Sequence, residues 1–379
     1  MIYLDNNATA PVDTCVREAC MPYLMHRFGN PSSGHIKGHE AKAAIIKAKE
    51  QVASAIGAAV DEVVFTSGGS ESNNFVLKGL FLGPDHFCKG HLVVSAFEHA
   101  AVLKPAQYLA QLGVDLSVVP CQPSGRVDPN VVADAIRPDT RLVSVMHANN
   151  EIGTLQPIDE IAAICQTKGV LLHSDASQSV GKTNVNVNAL GVDFLTIAGH
   201  KVYAPKGVGA LYMRRDTYLH PLIQGVGHEN GHRAGTENVA YQVALGCAMN
   251  LVQQEGFKHW EKMAVLRDLL WRLLKTGIGD GLTQNGATVE RLPNTLSVNF
   301  PYVTGVGLLA ACPEVCASTS AACHSGQFNQ TVTQKAIGLS PEVAAGTVRF
   351  SLGWHTTQSE IEQAAAYLIR AWHLNRDTN

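Results

Sequence analysis

The sequence has no charge imbalance: 29 Lys and Arg stand against 32 Asp and Glu, a formal net charge of −3 over 379 residues. Nucleic-acid binders draw affinity from neutralising phosphates, so this balance argues against a nucleic-acid partner. No apolar run approaches the roughly 20 residues of a membrane span. The first residues, Met1 to Asp5, show no basic stretch followed by an apolar one. The expectation is a cytoplasmic protein with no membrane partner. Charge is scarce altogether, at 16% of residues against 46% hydrophobic. That composition is wrong for disorder and sufficient for large cores. Internal repeats and low-complexity linkers are also absent, and the length exceeds what one core usually serves, so two closely packed domains are expected.

Tight cysteine pairs are missing too. Nine cysteines, at positions 15, 20, 88, 121, 165, 247, 312, 316 and 323, make an odd, scattered set that is no disulfide framework. The closest group, Cys312, Cys316 and Cys323 with His324, has no C-x-x-C pair, so no metal is expected. Most of these thiols read as small buried hydrophobes unless one stands where a thiolate is useful.

Between residues 60 and 215, short β-branched runs at 63–66, 92–95, 142–146, 170–173 and 194–197 alternate with helical stretches at 71–82, 100–112, 128–137 and 157–168. Runs of this kind are strands buried on both faces, and their alternation with helices predicts a mostly parallel sheet. Residues 37–56 carry a one-sided apolar face at helical spacing. Beyond 255 the pattern changes to a long helix near 258–276, strands at 295–300 and 347–352, and a closing helix opened by the capping box Thr357 to Glu360. This predicts a large α/β domain over residues 13–256 and a smaller α+β domain formed by 1–12 and 257–379.

Five polar clusters fall just past the C-terminal ends of the predicted parallel strands, where ligands bind in open α/β sheets. The first, Thr66 to Asn74, is a small-residue turn into a helix, which suits a phosphate at the helix N-terminus and equally suits a plain βα turn. Glu98-His99, Asn149-Asn150-Glu151, His173 to Gln178 and Gly199 to Gly207 are the others. Asp175 and Lys201 end successive strand units, so both face one crevice. Pyridoxal phosphate needs a lysine to tether it, an anion for its ring nitrogen and a phosphate cradle. Lys201, Asp175 and the Gly68 to Ser72 turn meet these three needs together, although Asp175 or Lys201 alone reads more plainly as a surface residue.

The segments Tyr3 to Thr9, Gly29 to Ser33, Thr66 to Asn74, Asn149 to Gly153, His173 to Lys182, Gly199 to Gly209, Arg233 to Asn238 and Leu292 to Thr295 resemble, in order over nearly the whole chain, the cysteine desulfurase and selenocysteine lyase family of the class V aminotransferase group. The resemblance implies the pyridoxal-phosphate-dependent transferase fold of type I, with a seven-stranded sheet, and a homodimer with active sites at the subunit interface. It makes Lys201 the tethering lysine and catalytic base, and Asp175 the ring-nitrogen partner. His99, a catalytic group, would stack on the ring, and Gln178 would bond its phenolic oxygen. Gly69, Ser70 and His200 would hold the phosphate, joined by Thr236 of the other subunit. Asn150 and Arg349 would bind the substrate carboxylate, the guanidinium offering a bidentate fork. The bland alternative for Arg349 is an exposed strand residue paired with a nearby acid.

Ser318 to Gly326 is small and polar and reads as a loop carrying an exposed thiol. The resemblance makes its Cys323 the nucleophile that takes sulfur from the substrate as a persulfide, with His324 helping to lower its pKa. The implied reaction converts L-cysteine to L-alanine and passes sulfur to an acceptor protein, for iron–sulfur clusters, thiolated tRNA or another pathway. Three departures stand out: Ala198 where many desulfurases have a serine, the stretch Gly225 to Arg233, and Ala321 to Ser325, which is closer to selenocysteine lyases. Selenocysteine lyase is therefore the alternative. A non-catalytic docking platform and an ordinary aminotransferase are weaker ones.

Overall fold

The structure, a computed structural model, describes residues 1–84, 87–319 and 329–376. Strands form at Val63–Thr66, His91–Ser95, Thr140–Ser144, Leu171–Asp175 and Phe194–Ala198, where the β-branched runs place them. Each is buried along nearly its whole length, because helices cover both faces of the sheet and separate apolar clusters fill the two sides. Strand ends differ from expectation by about two residues at Thr140–Ser144 and Leu171–Asp175, so Asp175 closes its strand instead of following it.

Two strands of this sheet escape the apolar pattern. Asp115–Val119 is a half-exposed edge strand, and Gly209–Met213 follows a glycine turn. The seven strands lie in the order 63–66, 209–213, 194–198, 171–175, 140–144, 91–95 and 115–119. Only Gly209–Met213 runs against its neighbours; the other pairings are parallel. The architecture is thus the expected α/β fold with a mostly parallel seven-stranded sheet.

The helix Ile36–Ile56 buries Ala41, Ile45, Ala48, Val52 and Ile56 and packs along the helix Val239–Ile278. The latter starts well before the expected 258 and crosses the expected domain boundary without a break. Gly246 and Gly256 weaken its helical signal in sequence, while Asn238 caps its start by accepting a hydrogen bond from the Tyr241 N–H at 3.2 Å. Beyond it lies a four-stranded antiparallel sheet in the order Thr283–Asn285, Thr295–Asn299, Thr347–Ser351, Ser318–Thr319. The closing helix Gln358–Arg376 opens on the expected capping box: Thr357 N–H donates to Glu360 at 2.8 Å, and Glu360 N–H to Thr357 Oγ1 at 3.3 Å.

The chain's first residues lie against this smaller region. Ile2–Tyr3 pairs with Val315–Cys316 in a separate two-stranded sheet, and Asn6 N–H donates to Ser351 O of the four-stranded one. Among the described residues no helix is long and apolar enough to cross a membrane.

Candidate active site

The parallel strands 63–66, 91–95, 140–144, 171–175 and 194–198 end at one edge of the sheet, and a cavity of about 420 Å³ opens there. All five polar clusters contribute to its lining: Gly69 and Ser70, then His99, Asn150, Asp175 with Gln178, and His200 with Lys201. Arg349 reaches the same cavity from the smaller sheet. Thr236 does not line it and is exposed, while Cys323 and His324 lie outside the described residues.

Asp175 is a buried carboxylate held on both oxygens. Its Oδ1 accepts from the Ser177 N–H at 2.9 Å, and its Oδ2 from Asn73 Nδ2 at 2.7 Å. Burial alone would raise its pKa; the hydrogen bonds from Ser177 and Asn73 and the charge of Lys201 outweigh that and hold it below the usual carboxylate value. Asp175 is therefore a fixed anion at the cavity floor. Lys201 sits in the tight turn Gly199–Lys201 that follows its strand. Its amine has no hydrogen bond or ion pair among the described residues, and burial, seconded by Arg349 and opposed by Asp175, lowers its pKa. Such an amine is available to bond a carbonyl and to act as a base when neutral.

The helix Gly69–Phe81 points its N-terminus at the cavity, and no side chain caps it, so first-turn N–H groups remain for an anion. Only glycine suits this entry. Gly68 adopts φ 148°, and a Cβ on Gly69 would lie 2.9 Å from Ser177 Oγ. His200 Nδ1 shares a hydrogen bond with Thr9 Oγ1 at 3.2 Å. Burial, with Lys201, Lys206 and Lys182, pushes its pKa down to about 4, so at neutral pH it meets an anion as a neutral donor. Ala198 lines the cavity with a methyl group and no hydroxyl.

His99 caps the helix Ala100–Gln111, its Nδ1 accepting from the Ala101 N–H at 3.1 Å, which leaves the Nε2 side for the cavity. Desolvation holds it below its ordinary pKa, so the ring is neutral and suited to lie on an aromatic face. Arg349 is buried, at 8% exposure, against the exposed alternative. It nevertheless pairs with an acid: Nη2 donates to Asp5 Oδ1 at 2.7 Å and Nη1 to Asn150 O at 3.1 Å. Its Nε–H is buried without a partner among the described residues, while Nη1 and Nη2 each keep a second N–H for a carboxylate.

Several residues that build the site carry no role of their own in the sequence pattern. Asn7 lines the cavity, Asn73 and Ser177 fix Asp175, and Asp5 orients Arg349. Asn7 and Asp5 belong to a matched segment, Tyr3 to Thr9, whose polar run so early in the chain was the available signal. Among the described residues no three His, Cys, Asp or Glu side chains gather as a metal set. The thiols are less buried than expected: Cys20, Cys165 and Cys312 are buried, but Cys15 is exposed and Cys88, Cys121, Cys247 and Cys316 are half-buried. Cys15 sits near the start of the surface helix Thr14–Met25, where its side chain has no core to enter.

The family profile described as aminotransferase class-V matches residues 2–364. A protein of Dictyoglomus turgidum named cysteine desulfurase IscS is 44% identical over 97% of this chain and 94% of its own length. Among solved structures, a NifS-like protein superposes with a TM-score of 0.91 at 33% identity, covering 98% of this chain and 99% of that one. Another, described as SspA in complex with cysteine, gives 0.83 at 34% identity over 94% of this chain and all of that chain.

Proposed function

The chain belongs to the class-V aminotransferase family, and from that premise we propose that it is a pyridoxal-phosphate-dependent cysteine desulfurase. L-cysteine is the substrate, L-alanine the product, and Cys323 the first acceptor of the sulfur. The observation that carries this reading is the pairing, in one cavity, of an anchored Asp175 carboxylate with a Lys201 amine that has no partner among the described residues.

The residues present fit the cofactor. Lys201 would tether it, Asp175 would pair with its ring nitrogen, and the uncapped helix at Gly69 with Ser70 and His200 would take its phosphate. His99 would cover the ring face and Gln178 would meet the phenolic oxygen. When bound, pyridoxal phosphate supplies an electron sink for charge developing at the substrate Cα. Asp175 keeps that sink strong by holding a negative charge where the ring nitrogen needs its proton. Arg349 and Asn150 bind the substrate carboxylate, and the neutral Lys201 amine takes the α-proton.

The Cys323 thiolate then forms an S–S bond with the substrate sulfur as the Cβ–S bond breaks, and the carbon side collects its protons and leaves as alanine. Both flanks of the segment that carries Cys323 are anchored at the cavity rim. Ser318 lies in register with Arg349, and Thr331 Oγ1 donates to Glu151 Oε2 at 2.7 Å. Asn149 Nδ2 reaches Thr333 Oγ1 at 3.2 Å. This placement supports the nucleophile role, for which an ordinary aminotransferase has no use.

The persulfide passes to an acceptor protein. The protein is a homodimer, with Thr236 completing the phosphate site of the partner subunit, and works in the cytoplasm; the exposure of Thr236 away from its own cavity supports the first point. Residues 13–256 form the cofactor domain and 1–12 with 257–379 the smaller one, the helix Val239–Ile278 serving as a shared strut. The desulfurase name of the Dictyoglomus relative supports sulfur over selenium.

The test is to supply cysteine and selenocysteine in parallel and measure alanine with protein-bound persulfide. Alanine and a persulfide on Cys323 from cysteine support the reading, and a Cys323→Ala variant should form almost no alanine from cysteine. Alanine from selenocysteine alone would overturn it.

A further inference from the structure

Beneath the cavity floor lies an amine that the reaction above does not use. Lys182 is only 4% exposed and has no ion pair among the described residues. Its Nζ donates to Gln178 Oε1 at 2.7 Å and to Asn7 Oδ1 at 3.2 Å. A buried ammonium with no counter-ion is costly. Burial, together with the positive charges of Lys201 and Arg349, drives the Lys182 pKa well below its ordinary value. The structure gives this amine two amide oxygens to meet.

Those two bonds decide which way each amide points, a choice that shape alone leaves open because amide O and N are nearly the same size. With its Oε1 engaged by Lys182, Gln178 has only its Nε2 to offer elsewhere. One N–H goes to Asn7 O at 2.9 Å, and the other remains on the side of a residue that lines the cavity. Asn7 is fixed in the same sense. Its Oδ1 accepts from Lys182 and from Asn294 Nδ2 at 3.0 Å, while its Nδ2 donates to Thr295 Oγ1 at 2.8 Å and Asn150 O at 3.2 Å.

We propose that Lys182 is a positioning residue that locks the Gln178 amide so that it presents an N–H, and never its oxygen, to the phenolic oxygen of the bound cofactor. The proposal rests on the pyridoxal-phosphate reading. A flipped Gln178 would set its oxygen against the phenolic oxygen and against Asn7 O, and would strand the Lys182 N–H that now has an acceptor, misplacements that are unfavourable in a desolvated site. Lys201, Asp175, Arg349, His200 and His99 are the other titratable groups lining this cavity among the described residues, and none of them takes a bond from Lys182.

The readout is the pH midpoint of the visible absorption band of the protein loaded with pyridoxal phosphate. A fixed donor stabilises the deprotonated form of the cofactor–lysine unit, so losing it raises the midpoint. Lys182→Met keeps the apolar stem and removes the donor; a rise of about one pH unit is expected. Lys182→Gln restores an N–H without charge and should return the midpoint to the parent value. No shift in either variant overturns the proposal, and so does an equal shift in both, which would make the role one of charge. Should Lys182→Met fail to fold, Gln178→Met takes its place beside Lys182→Gln: the same rise is expected, and an unchanged midpoint overturns the proposal. A parent chain that develops no visible band overturns the cofactor reading itself, and is thereby told apart from a band whose midpoint ignores Lys182.

Discussion

The seven-stranded sheet delivers five loops to the cavity at one edge, whereas the four-stranded sheet delivers one side chain, Arg349, from the middle of a strand. In the first case topology does the gathering: parallel strands that alternate with helices must end on the same side, so residues more than a hundred positions apart converge without needing to touch. In the second case convergence depends on specific contacts. Arg349 is held by Asp5, which also accepts from Ser318 Oγ at 2.9 Å. The larger region thus carries the reactive chemistry on a rigid floor, and the smaller one sets how a substrate is held above it.

Substitutions can break or sharpen that contrast. The largest effect is expected at Lys201→Ala, which removes tether and base together and should lower alanine formation by about 10⁴-fold in steady-state assays. Asp175→Asn keeps the shape and removes the charge beneath the ring nitrogen; kcat should fall by about 10²–10³-fold with little change in KM. On the smaller sheet, Arg349→Lys loses the planar fork and should raise the KM for cysteine by about 10-fold, more than it lowers kcat. A collapse of kcat in Arg349→Lys equal to that in Lys201→Ala would erase the distinction between floor and rim.

The smallest effect concerns stability. Glu98 lies fully buried behind His99, with Oε1 accepting from Met146 N–H at 2.7 Å and Oε2 unpartnered. Burial raises its pKa from 4.5 to about 8. Between those values the folded chain holds a proton that the unfolded chain has released, so this group's stabilisation is present at low pH and is lost as pH rises toward 8. Glu98→Gln is neutral throughout and should melt about 2 °C or more above the parent at pH 8.5, with the gap closing near pH 4.5. Calorimetry at the two pH values checks this, and a gap independent of pH would contradict it.

The same contrast explains what could be read in advance. Gly69, His99, Asp175 and Lys201 follow β-branched runs, and the polar residue after each run marks a strand end whose location the fold class dictates. Gly209–Met213 was illegible because its antiparallel direction depends on neighbours distant in sequence. The start of the helix at Val239 was hidden by Gly246 and Gly256, whose poor propensity is overridden by packing against Ile36–Ile56. In sequence Asn73 is only part of a turn, yet it holds Asp175 from 102 positions away. Lys182 belongs to a matched segment, but a lysine four residues from Gln178 reads as solvated until burial shows otherwise.

Reductive trapping tests the central claim most directly. The chain is loaded with pyridoxal phosphate, treated with borohydride to fix any cofactor–lysine bond, and digested for mass mapping. The account predicts one phosphopyridoxyl group per chain, on Lys201. A label on Lys182 or Lys206, or none at all, would contradict it.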